Sequence, residues 1–364
     1  MNNCIGCGIF KQIEDQNNPG YAAKIDNPYC LRCFKIKNYN ELIAQEIKAS
    51  DFIEKLKEVI KSEKQTTEFY YILDIYDLNA SRIIELEELL SKFKVIIIIN
   101  KIDLLPKSVK LSKIAKYITE LFAKTSLKKC DIILMTTTKK NFVNSLLNKV
   151  KKTQTVKYFI GSSNVGKSSI INAIMTANNL IPQVLVSNYF NTTLEFIDIK
   201  LDSQTKLIDT PGISRQNSIA NLTTNKQQKH MYFTKELKQI TYQLNSNNSI
   251  FYEALCWFDF LSEKEIENSF HVYTNKDIKT HRTSFKNSLN YYEKNKFLLD
   301  LNIKNKNISK YEFLFDKKTF NKEYDIVISG LGWISFKVTK EFKIVVNIPT
   351  DNNKVDVILR RSII

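Results

Sequence analysis

Only eight of the 364 residues are glycine, and no apolar run exceeds five residues, as at Val95–Ile99. A bilayer-spanning helix needs about 20 consecutive apolar residues, so a chain that crosses a membrane on helices is a poor reading. The first residues are polar and include Cys4, which is not the pattern of a secretory signal, and the cytoplasm is the expected location. The hydrophobic fraction is 43% and the charged fraction 25%, which argues against disorder and for soluble globular domains. A chain this long has room for two or three of them.

The eight glycines are Gly6, Gly8, Gly20, Gly161, Gly166, Gly212, Gly330 and Gly332. In so glycine-poor a chain, these mark backbone that needs positive φ or close approach to a ligand. The net charge of +16 favours an anionic partner such as RNA. Residues 214–364 hold 24 basic and 16 acidic side chains, a spread excess rather than a focused patch.

Three textures follow one another. Residues 1–45 lack helical periodicity and are organised around cysteines. Residues 46–213 alternate short apolar strands with helical patterns, the signature of a mostly parallel sheet covered on both faces. Strands are expected at 68–75, 94–99, 131–136, 156–160, 194–200 and 205–209, with helices near 80–92 and 109–124. A further helix begins near Ser50, read as its N-cap. Residues 214–364, rich in aromatic and β-branched residues with one helical patch at 284–298, read as an α+β domain. No internal repeat stands out.

Gly161-Ser-Ser-Asn-Val-Gly166-Lys167-Ser168 matches the phosphate-loop pattern between an entering strand and a leaving helix. Its backbone amides, including Val165 and Ser169, would wrap phosphate oxygens; Lys167 would reach the β- and γ-phosphates, and Ser168 would ligate Mg²⁺. Downstream, Asp209-Thr-Pro-Gly212 ends another strand. Asp209 would hold Mg²⁺ through water, and the Gly212 amide would sense the γ-phosphate. Between them, Thr193, with Thr192 as the alternative, could complete the metal shell.

Asn100-Lys101-Ile102-Asp103 follows a buried strand. The Asp103 carboxylate can accept hydrogen bonds from guanine N1–H and its exocyclic amine, rejecting adenine by ~10⁴-fold. Asn100 would brace the loops, and the Lys101 stem would lie along the purine face. Thr136-Thr137, at the end of the next strand, is a loose match for a base-edge contact. Order is the unusual feature: the guanine-reading segments precede the phosphate loop, whereas ordinary GTPases have the reverse. Such a circular permutation is tolerated because a sheet requires strand neighbours rather than a particular chain start.

Cys4-x-x-Cys7 and Cys30-x-x-Cys33 form two pairs suited to one tetrahedral, structural zinc site. Cys130 and Cys256 sit in apolar segments and read as core.

Together, "CIGCG", "PGY", "YCLRCFKIKNYNE", "DIYDLN", "NKIDLLPKS", "GSSNVGKSS", "DTPGI", "HRT", "SGLGW" and "RRSII" make the chain resemble, nearly end to end, the YqeH family of ribosome-biogenesis GTPases. That resemblance implies a zinc module, a circularly permuted GTPase domain and a C-terminal domain that contacts ribosomal RNA. It also implies GTP hydrolysis to GDP coupled to assembly of the small (30S) ribosomal subunit. Ile213 stands where Ras-like enzymes carry a water-orienting glutamine, and relatives of the family use potassium held partly by the loop asparagine, here Asn164. Gly330 and Gly332 read as turn residues beside a core Trp333, and Arg360 and Arg361 either touch RNA or solvate the chain end. The family's usual Pro-Gly before the switch threonines is replaced by Phe190-Asn191. That departure leaves a second reading open, a zinc-bearing RNA-binding factor that binds guanine nucleotide without turnover.

Overall fold

The computed structural model describes residues 3–5, 9–16, 20–31, 33–34, 47–63, 66–107, 109–180, 196–215, 217–223, 231, 233, 235–298, 307–350 and 354–364. The chain divides into two compact units, Met1–Asp103 with Ile118–Arg215, and Leu104–Tyr117 with Gln216–Ile364. The grouping of Leu104–Tyr117 with the C-terminal residues has no counterpart in the boundaries expected at 46–213 and 214–364.

The first unit is built on a six-stranded sheet in the order β3-β2-β1-β4-β6-β5. Its strands are β1 Thr67–Asp74, β2 Lys94–Asn100, β3 Asp131–Leu134, β4 Val156–Ile160, β5 Ile197–Lys200 and β6 Lys206–Asp209. All neighbours pair in parallel except β5, which runs antiparallel to β6 at the edge. The consecutive isoleucines of β2 are buried on both faces, the expected state of β-branched residues in a covered parallel sheet. Helices Lys140–Lys151 and Lys167–Ala177 supply Val143, Leu146, Ile170 and Ile174 to one core layer, where Tyr70 and Phe159 stack at 4.9 Å.

Three expectations need correction. The helix expected near 80–92 is two pieces, Leu78–Ser81 and Ile84–Leu90. It breaks where the Ile83 N–H donates to the Tyr71 hydroxyl and Arg82 grips Glu87 with two hydrogen bonds of 2.7 Å. Ser50 does not cap its helix, which starts at Ala49; its hydroxyl donates to Asp51 instead. The edge strand is described only from Ile197, and Leu194 lies outside the described residues.

The second unit carries two five-stranded antiparallel sheets. One has the order β16-β13-β14-β10-β7, the other β11-β8-β9-β15-β12. The strands are β7 Gln239–Asn245, β8 Asn248–Tyr252, β9 Cys256–Leu261, β10 Glu267–Thr274, β11 Thr280–Ser284, β12 Asn307–Phe315, β13 Glu323–Ile328, β14 Gly332–Lys337, β15 Phe342–Thr350 and β16 Val357–Arg361. Phe260 meets Phe270, and Phe315 meets Phe336, at 5.0 and 5.1 Å, so an aromatic core joins the sheets. Trp333 is buried beside the Gly330–Gly332 turn, as expected. Arg360 neither solvates an end nor faces outward: it is buried, with Nε donating to Asp325 at 3.1 Å. Among the described residues, no helix is long and apolar enough to cross a membrane.

Candidate nucleotide site and cysteine centre

The loops after β2, β3, β4 and β6 all leave the carboxyl end of the sheet, where open α/β folds bind ligands. The sequence-distant guanine and phosphate segments meet there. The Asn100 side chain donates to the Val165 carbonyl (2.8 Å), and Lys101 Nζ donates to the Asn164 carbonyl (2.5 Å). Both contacts span more than 60 residues and fasten the loop after β2 onto the loop after β4. Asn100 Oδ1 is buried without a hydrogen-bond partner among the described residues. An orphaned acceptor in a polar cleft is costly unless a ligand or water satisfies it.

Asp103 is positioned by β2 and β3 together. The Ile102 N–H donates to the Met135 carbonyl (3.3 Å), which brings Asp103 beside the next loop. The Thr136 hydroxyl then donates to Asp103 Oδ1 at 2.6 Å and shares a 2.8 Å contact with Thr138. One carboxylate oxygen is thereby fixed, and the carboxylate is oriented. Thr137 lies between, half-buried. The loose sequence match at Thr136-Thr137 thus lies beside the Asp103 carboxylate.

On the phosphate side, Asn164 and Gly166 both adopt positive φ, 61° and 94°. A Cβ on Gly166 would stand 2.3 Å from the Asn100 amide nitrogen, and one on Gly161 would stand 2.3 Å from the Ile72 carbonyl oxygen. Lys167 begins its helix, with Ser168 and Ser169 half-buried in the first turn. Its ammonium donates to the carbonyls of Gly161 (3.0 Å) and Ser162 (3.3 Å). Burial lowers the Lys167 pKa to about 8, with repulsion from Arg215 adding to this and Asp209 opposing it. Asp209 is fully buried at the end of β6, and Gly212 is buried in the following turn. Backbone bonds from Ser163 N–H to Ile213 O (2.7 Å) and from Ile213 N–H to Gly161 O (3.4 Å) hold the two phosphate-side segments together. Thr192 and Thr193, and with them Phe190-Asn191, lie outside the described residues.

The residues present fit a guanine nucleotide with Mg²⁺. The left-handed turn at Gly166 frees amides for phosphate, and a carboxylate sits pre-oriented at the base end. We expect Gly166→Ala to weaken GDP binding by roughly 30-fold or more. Left-handed strain costs about 1–2 kcal/mol and the clash with Asn100 a similar amount. Equilibrium titration with fluorescent GDP measures this.

Three side chains that were not picked out from the sequence complete the site. Arg215, three residues past Gly212, is buried and donates to Asp77 (3.0 Å), Asp74 (3.3 Å) and the Ser163 carbonyl (3.2 Å). Asp74 also accepts from Lys101 at 2.6 Å on the same oxygen. Burial alone would raise the Asp74 pKa, but Lys101 and Arg215 hold it below the usual carboxylate value. The quoted "DIYDLN" contains both aspartates, and the signal that could have found them was two carboxylates at a strand's carboxyl end.

A second centre lies near the N-terminus. The sulfurs of Cys4, Cys30 and Cys33 are buried within 4.8 Å of one another, without a disulfide among them. The Cys30 N–H donates to Cys4 Sγ at 3.2 Å. Three converging thiols, of which Cys4 accepts a backbone donor, fit a thiolate zinc site, in which Zn–S bonds are about 2.3 Å. Cys7, expected as the fourth ligand, lies outside the described residues. Cys256 is a core residue as expected, its thiol pushed well up by burial, whereas Cys130 is only partly buried.

Two known families match the chain: "50S ribosome-binding GTPase" over residues 156–276, and "YqeH-like, C-terminal" over residues 267–363. The first match begins at the first residue of β4 and leaves out residues 100–103. The chain is 31% identical to the Bacillus subtilis protein YqeH, covering 91% of this chain and 92% of that one. It is 24% identical to NO-associated protein 1, chloroplastic/mitochondrial, of Arabidopsis thaliana, over 92% of this chain and 69% of the relative. A 30% identity to GTPase grn1 of Schizosaccharomyces pombe covers 43% of this chain and 38% of that protein.

Proposed function

This chain belongs to the YqeH-like family, and on that premise we propose that it is a GTP-hydrolysing switch acting in assembly of the small ribosomal subunit. The observation that carries this reading is the fastening of the Asp103 loop to the Lys167 loop through Asn100–Val165 and Lys101–Asn164. One nucleotide spans from a base-reading carboxylate to a phosphate-binding lysine.

In the proposed site, Asp103 and Asn100 read guanine, and Lys101 backs its plane. Thr136 orients Asp103, and the Thr137 backbone meets the base edge. The amides of Gly161, Asn164, Val165, Gly166, Lys167, Ser168 and Ser169 line the phosphates. Ser168, Asp209 and Thr193 would hold Mg²⁺, which would supply positive charge to offset the phosphates. Gly212 senses the γ-phosphate. Ile213 is fully buried and has no polar group to orient water; Lys167 would neutralise phosphate charge, and Asn164 would hold a potassium ion that adds to it. The C-terminal unit contacts ribosomal RNA, and the protein works in the cytoplasm.

The deciding experiment follows single-turnover GTP hydrolysis with and without small-subunit particles, in potassium and in sodium. Stimulation by the particles, strongest in potassium, is expected. GTP held but never cleaved in any condition would replace the switch with a binding-only role. Equal rates in potassium and sodium would remove the potassium assignment alone.

The cysteine centre gives an independent expectation. Purified protein should carry one zinc per chain by elemental analysis, and Cys30→Ser should lose it, because a buried three-sulfur remnant no longer closes the coordination. Retention of full zinc occupancy by Cys30→Ser would remove that residue from the ligand set.

A further inference from the structure

The C-terminal unit is an internal duplication whose halves exchange strands. Shifting the numbering by 76 lays residues 249–274 on 325–350 without a gap, and seven positions are identical: Ile250/Ile326, Leu255/Leu331, Trp257/Trp333, Phe260/Phe336, Lys264/Lys340, Glu265/Glu341 and Thr274/Thr350. The hairpin registers coincide: Asn248 faces Phe260 as Tyr324 faces Phe336, and Tyr252 faces Cys256 as Ile328 faces Gly332. A buried Ser–Asp bond of 2.5 Å recurs with its partners traded, Ser249 to Asp259 and Ser335 to Asp325. Mapping β7–β11 onto β12–β16 converts one sheet order into the other, so each sheet takes three strands from one half and two from the other. Chance alternation would produce neither the traded pair nor the interchangeable sheets.

The duplication exposes what differs between the halves. In the first, the chain continues after Ser284 into helix Ser288–Asn295, whose Tyr292 packs on Trp257 at 5.1 Å. Tyr291 of the same helix lies against Phe251 at 4.7 Å and His281 at 4.5 Å. The position equivalent to Ser284 is Arg360. Its guanidinium lies between the equivalent tryptophan, Trp333, and Tyr117, 5.4 Å from each ring. Tyr117 belongs to helix Leu111–Phe122, whose Lys113 reaches Glu323 and the Ile364 carbonyl. Closer to the nucleotide site in sequence, the Leu237 N–H donates to the Leu104 carbonyl at 2.9 Å, and Glu236 accepts from the Lys107 N–H.

We propose that duplication created two equivalent helix seats, and that the second seat is an interaction surface for the helix following the guanine-reading loop. Leu104 is bonded directly to Asp103, so holding this segment holds the base-reading carboxylate. The C-terminal unit is thereby a brake on guanine-nucleotide release. This rests on the nucleotide reading above.

The test uses the full chain loaded with fluorescent GDP. Tyr117→Ala and Lys113→Glu should each speed GDP dissociation by about fivefold or more, the scale of a typical coupling between sites. Tyr117→Phe, which keeps the ring, should match the parent. Tyr291→Ala loosens the first seat and should lower thermal stability without altering GDP release. Equal acceleration by Tyr291→Ala and Tyr117→Ala would reduce the effect to general loosening and overturn the proposal, as would no acceleration by either. If the parent chain retains no GDP, the nucleotide reading falls and the seat is judged by hydrogen exchange. Faster exchange of the Leu237 amide in Tyr117→Ala than in Tyr291→Ala supports the seat; equal exchange removes it.

Discussion

Asp103→Asn is expected to lower GTP affinity by ~10³–10⁴-fold and to create affinity for xanthosine triphosphate. A carboxylate accepts from guanine N1–H and its exocyclic amine together, and an amide in its place presents a donor to one of those donors. Xanthine carries a carbonyl where guanine has the amine, so the same amide donor becomes useful. The effect is large because Asp103 is held: the Thr136 hydroxyl fixes Oδ1 at 2.6 Å, and the Ile102–Met135 bond fixes the backbone. A side chain so restrained cannot turn away from a mismatched base. Competition of GTP, inosine, xanthosine and adenosine triphosphates against fluorescent GDP measures the switch. Inosine triphosphate, which lacks the amine, should already bind the parent more weakly than GTP. Unchanged base preference in Asp103→Asn would remove Asp103 from base reading.

The nucleotide unit was legible because its motifs carry local backbone requirements. Gly161 and Gly166 stand where a Cβ would collide, and glycine is rare enough here for that to be visible. The isoleucine run at 95–99 announced a covered strand, and the order of the motifs announced the permutation. Ser50 misled because a helix N-cap is decided by where the backbone leaves the helical region, and a hydroxyl two residues further on has no orphan amide to accept from. The broken helix at Arg82 was hidden because its cause, the Tyr71 hydroxyl, lies 12 residues away. The duplication was hidden for a related reason. Exchanged strands obey only burial and register, so sequence can drift while Trp257 and Trp333 stay, and a Ser–Asp pair can trade places and keep its hydrogen bond. Arg215 followed no motif at all; its role is set by Asp74 and Asp77, nearly 140 residues earlier.

Arg215→Ala should therefore be among the most damaging single changes in the first unit, costing about 3–5 kcal/mol of stability. The guanidinium is 8% exposed and sits against two carboxylates that are 4% and 2% exposed. Removing it leaves buried negative charge with less compensation, and desolvation makes that costly. In a unit of about 200 residues this corresponds to a fall in Tm of roughly 6–20 °C. Arg215→Lys should recover only part of the loss, since one ammonium cannot reach Asp74, Asp77 and the Ser163 carbonyl together as the planar fork does. Pairing Arg215→Ala with Asp77→Asn should recover more, because it removes the charge left behind, and the double-mutant cycle should show coupling above about 1 kcal/mol. The functional consequence follows from the shared Asp74 oxygen. With Arg215 gone, Lys101 is the one cation left on the shared Asp74 oxygen, and the segment after Gly212 loses its side-chain tie to the phosphate loop. GTP should then lose its affinity advantage over GDP in the folded fraction, measured below the lowered Tm. A parent-like Tm together with parent-like discrimination between the two nucleotides would show that Arg215 merely fills space.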